Sequence, residues 1–62
     1  MDANAEQARV EQFIDKGNYH AAINIAISAL NAARRDNEQH NVDRFLDVIS
    51  GIAETMRDQF GS

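Results

Sequence analysis

Residues 19–35 read YHAAINIAISALNAARR, and the fold turns on this stretch. At 100° per residue, Ala22, Ala26, Ala29 and Ala33 form one stripe of small side chains. Ile23, Ile27 and Leu30 flank that stripe on one side, and Ala21, Ile25 and Ala32 flank it on the other. His20, Asn24, Ser28, Asn31 and Arg35 face away. An apolar arc this wide touches two neighbours rather than one, and alanine lets them approach closely. The segment is expected to be the central helix of an all-α fold. Its neighbours must be helices too, because proline is absent, Ala occurs ten times and nothing alternates with the period of two that a strand requires.

Upstream, a helix is expected near residues 4–16. Val10, Phe13 and Ile14, with Ala3 further back, give it a narrow apolar stripe, and Glu6 with Arg9 form an i,i+3 pair. Gly17 stands where a left-handed C-terminal cap belongs, and Asn18 can cap the helix that follows. Downstream, residues 36–41 form a polar break, with Asn41 as N-cap and Asp43 in the first turn of a third helix near 42–59. Val42, Phe45, Leu46, Ile49, Ile52, Ala53, Met56 and Phe60 recur there at 3–4 spacing, as in a bundle seam, and Gly61 ends it. Val48 falls off this stripe and Gly51 lies nearly opposite it. A mid-helix glycine costs about 1 kcal/mol against alanine. Gly51 reads more readily as a tolerated surface position than as a place where another chain approaches closely.

With 62 residues the chain is one small helical domain. A chain of this size buries only about 60% of its unfolded surface. Its core rarely supplies more than about 3–5 kcal/mol, so such domains lean on disulfides, a metal or a partner. The absence of cysteine removes disulfides and thiolate metal sites. Association with a second copy is what remains, and the expected architecture is a homodimeric three-helix bundle. The candidate interface is Phe45, Ile49, Ile52, Met56 and Phe60 on the third helix with Ile27 on the second. Met56 and Phe60 run past what the first helix can shield, and a two-fold axis would set the same patch of each chain against its copy. Tyr19 is expected to pack between helices with its hydroxyl at the rim.

Charge and chemistry narrow the function. Ten acidic residues against six basic ones give a net charge of −4 spread over both halves, which opposes general capture of nucleic acid. The N-terminus lacks a basic stretch followed by an apolar run, and the apolar-rich residues 21–33 are interrupted by Asn24, Ser28 and Asn31, so neither a signal peptide nor a membrane span is read and the cytoplasm is the expected compartment. No enzyme is expected. Ser28, Ser50 and Ser62 lie in no Gly-x-Ser-x-Gly elbow, glycines 17, 51 and 61 form no phosphate loop, and three short helices should enclose no pocket of the usual 300–1,000 Å³. His20 and His40, even with Asp36 and Glu38, lack metal-ligand spacing and read as solvated side chains, so neither cofactor nor metal is expected. Arg34 and Arg35 favourably close the second helix. Together with Arg44 they are the alternative, a small patch for structured nucleic acid.

Residues 15–30 resemble the middle of a tetratricopeptide repeat, with Gly17, Tyr19, Ala22, Ala26, Ala29 and Leu30 at matching positions. In that family a Gly–polar–aromatic turn joins two helices, and small residues on the second accept a packed neighbour. The first segment lacks the family's large aromatic residue, no proline follows the second, and a shift of about 34 residues sets Gly17 on Gly51 but Tyr19 on Ala53. The resemblance implies a helical hairpin and a protein-binding role. In size and plainness the chain is similar to the accessory proteins of phage and plasmid regulatory regions. The functional expectation is a small, non-enzymatic regulator that docks an apolar helix face onto a protein partner.

Overall fold

A computed structural model describes residues 1–61 as three helices, α1 (Ala3–Asp15), α2 (Tyr19–Arg35) and α3 (Gln39–Phe60), with no strand among them. Ser62 lies outside the described residues. Two tight turns of the same kind connect the helices. After α1, Gly17 takes φ +75°; its N–H donates to the Ile14 carbonyl (2.9 Å) and that of Asn18 to the Phe13 carbonyl (2.8 Å). After α2, Asn37 takes φ +57°; its N–H donates to the Arg34 carbonyl (3.2 Å) and that of Glu38 to the Ala33 carbonyl (2.9 Å). Both are Schellman motifs, which satisfy the last carbonyls of a helix by passing one residue through the left-handed region. The starts of α1 and α2 are capped alike. Asp2 accepts from the Ala5 N–H (3.1 Å) and Asn18 from the Ala21 N–H (3.2 Å).

The second turn corrects the expected start of α3. Because Asn37 completes the left-handed step, Glu38 is already the N-cap and the helix resumes at Gln39. Asn41 lies inside α3, where its side-chain amide donates to Glu38 Oε1 (3.1 Å), and His40 is in the first turn rather than in a loop.

Packing makes α2 the middle of the molecule. Val10 of α1, Tyr19, Ala22 and Ala26 of α2 and Ile52 of α3 form one buried cluster; Ala3, Ala29, Leu30 and Phe45 form a second. The first joins the start of α2 to the latter half of α1 and α3; the second joins its end to the beginning of α1 and α3. Thus α2 runs antiparallel to both neighbours. Ala22, Ala26 and Ala33 have no exposed surface and Ala29 has 3%, as the small-residue stripe requires. By contrast, α1 and α3 meet at few places, and the molecule is a thin slab of 38 × 19 × 13 Å.

The roll of α3 about its own axis is a second correction. Phe45 and Ile52 are fully buried, and Val48, placed off the stripe by spacing alone, packs against both clusters. Leu46 and Ala53, on the opposite edge of the apolar stripe, remain exposed. Among the described residues, no helix is long and apolar enough to cross a membrane.

Candidate interaction surface

The apolar stripe of α3 is wider than the arc that α2 covers. Its uncovered edge carries Leu46, 48% exposed, then Ala53, and ends at Phe60, 71% exposed. The neighbouring flank of α2 adds Ile27, 42% exposed. Where the end of α2 meets the start of α3, Leu30, Arg34, Asn37, Gln39, Val42 and Leu46 line an open groove of about 440 Å³. This exceeds what is expected of three short helices, and the groove lies where the second turn joins α2 to α3. The lining carries apolar side chains, two amides and one guanidinium, with no carboxylate, imidazole or hydroxyl among the described residues. It can receive an apolar side chain; it holds no acid–base pair.

The candidate interface residues divide into two groups. Phe45 and Ile52 are consumed by the core, at 0% and 1% exposure. Ile49 and Met56 are half-buried against the first cluster, and Ile27 and Phe60 are on the surface. Phe60 also meets Tyr19 edge to face, with ring centroids 6.0 Å apart and planes at 79°, so its ring is held in place while most of it remains uncovered. Leu46 belongs beside these residues, and the regular spacing of the stripe is the signal for it.

The three arginines do not converge. Arg44 bridges α3 to α1: its Nε donates to Gln7 Oε1 (2.7 Å) and its Nη2 to Asn4 Oδ1 (2.6 Å). Arg34 lines the groove on the other side of α3. Arg35 is exposed at the end of α2. The predicted patch is therefore split, with one member engaged within the chain. His20 is in the first turn of α2 and His40 in the first turn of α3, beyond the far end of α2, a helix about 25 Å long, and no group of three or more metal-ligating side chains occurs among the described residues. Lys16 lies 5.5 Å over the Phe13 ring.

Comparison with family models, with curated proteins and with solved structures returns no match.

Proposed function

We propose that this chain is a small, non-enzymatic interaction protein that works as a homodimer and docks onto a protein partner as a regulator. One observation carries the reading: Leu46, Ala53 and Phe60 form an apolar edge along α3 that its own chain leaves uncovered, beside Ile27 and an open groove. Contiguous apolar surface on a small helical fold marks an interface. The fold's shape supports the same reading, since a thin slab built on a few large buried side chains, Phe45, Ile52 and Val10, gains most from a second layer. The apolar edge seats the second copy, and the polar faces of α1 and α2 remain open to the further partner.

Solution mass by light scattering over a wide dilution series tests this. A mass of twice 6.9 kDa at micromolar concentration is the expected result. A 6.9 kDa species at every concentration up to the millimolar range would remove the dimer from the proposal.

A further inference from the structure

Resting on that dimer reading, we infer that the second copy binds through an antiparallel α3–α3 seam, in which Val42 meets the partner's Phe60, Leu46 the partner's Met56 and Ile49 the partner's Ala53.

The spacing of the accessible apolar residues leads there. Val42, Leu46, Ile49, Ala53, Met56 and Phe60 are separated by four, three, four, three and four residues, the a/d alternation of a heptad sustained over most of α3. This row adjoins the row that faces α2, which is centred on Phe45, Val48 and Ile52; Val42, Ile49 and Met56 lie between the two, packed on the buried clusters along one side and accessible along the other. Helix α3 therefore has two adjoining apolar seams, one filled by its own chain. Every residue of the second is at least partly accessible.

Charge decides the direction. In an antiparallel pair centred on this row, the flanking positions on the solvent side bring Asp43 beside the partner's Arg57, and the two-fold axis repeats that pair. Asp43 and Arg57 are both exposed; within the chain Asp43 accepts from Gln39 Nε2 (3.0 Å) and Arg57 has only a loose, exposed pairing with Glu54 (3.8 Å), so both can turn to a partner. A parallel pair would instead set Glu38 beside the partner's Asp43, two carboxylates, and Arg57 beside the partner's Ile52. Size complementarity agrees with the antiparallel register. The small Ala53 faces the partner's branched Ile49, and the exposed Phe60 ring at the end of its helix comes beside the partner's groove, next to the partner's Val42 and the partner's Leu46. With Ile27 of each copy alongside, two α2–α3 pairs form a four-helix layer, and α1 lies outside it.

The chain has no cysteine, so disulfide trapping reads the register directly. Leu46→Cys and Met56→Cys chains are made separately, checked for unchanged helix content and oxidised under mild conditions, alone and mixed. The expected result is a cross-linked dimer from the mixture and little from either variant alone. In the antiparallel register two copies of position 46 stand about 15 Å apart along the axis, beyond the span of roughly 7 Å that a disulfide bridges. Self-linking of each variant alone would overturn the register in favour of a parallel pair. A dimeric mass with no cross-link in any sample would overturn the seam while leaving the dimer standing, whereas a monomeric mass would overturn both. Charge exchange supplies a second measurement. Asp43→Arg alone should raise the dimer dissociation constant about tenfold, and adding Arg57→Asp should return it to within about twofold of the parent. No recovery in the double variant would overturn the proposed pairing.

Discussion

Gly17 and Asn37 perform one backbone task with two chemistries. Each passes through the left-handed region so that a helix can close on its last carbonyls, and the space where a β-carbon would stand at Gly17 is open to 4 Å. Gly17→Ala therefore meets no clash, and its cost is conformational alone. A loss of about 1–2 kcal/mol in urea unfolding is expected. Asn37→Gly relieves the smaller strain of an asparagine in that region and is expected to leave stability unchanged or to raise it by up to about 1 kcal/mol. A loss on Asn37→Gly would show that the asparagine side chain contributes to the turn. Burial separates two other positions that the repeat of apolar residues treats alike. Ile52→Asp places a carboxylate where exposure is 1%, and the helical signal in circular dichroism is expected to collapse. Leu46→Asp changes a side chain that is 48% exposed, so helix content should persist while the dimer is lost.

At the level of the element, α3 shows what local pattern can and cannot carry. Three helices with α2 in the centre were legible because the period of 3.6 and the width of the apolar arc are local properties of the chain. The start of α3 was not. Asn41 and Asn37 both suit a helix boundary, and the choice between them depended on which one entered the left-handed region after α2. The roll of α3 was equally hidden. Spacing gave a stripe wide enough to include Leu46 and Ala53, but the position of α2 decided that Val48 would be covered in their place. The Arg44 bridge spans 37 residues to Gln7 and 40 to Asn4, distances in sequence at which no short pattern speaks. Gly51 yields a prediction of its own. It lies inside α3, is exposed, and has no neighbour within 4 Å of the place a methyl group would occupy. Gly51→Ala is expected to stabilise by about 1 kcal/mol through helix propensity, measured by urea midpoint, with the dimer unaffected because the position faces away from both seams. Loss of the dimer on this substitution would place a close helix contact at Gly51.

For the whole molecule, association is expected to add a large share of stability to a single chain that folds only weakly by itself. An ordinary interface removes about 800 Å² from each partner. Against the 4149 Å² that this chain exposes, that is about a fifth of its surface, concentrated on the side where α2 and α3 leave apolar edges. A fold whose largest fully buried side chains are Phe45, Ile52 and Val10 has little apolar reserve of its own. Unfolding should therefore release two chains at once, and mass action then makes the melting temperature depend on concentration. A hundredfold dilution lowers the stability of such a dimer by about 2.7 kcal/mol, which corresponds to a drop in melting temperature on the order of 10 °C for a complex of this size. Leu46→Asp is expected to remove that dependence and to melt at or below the lowest temperature reached by the diluted parent. A parent chain that melts at one temperature across the full dilution range would mean that three helices suffice for folding. The apolar edge of α3 would then be free surface on a stable monomer.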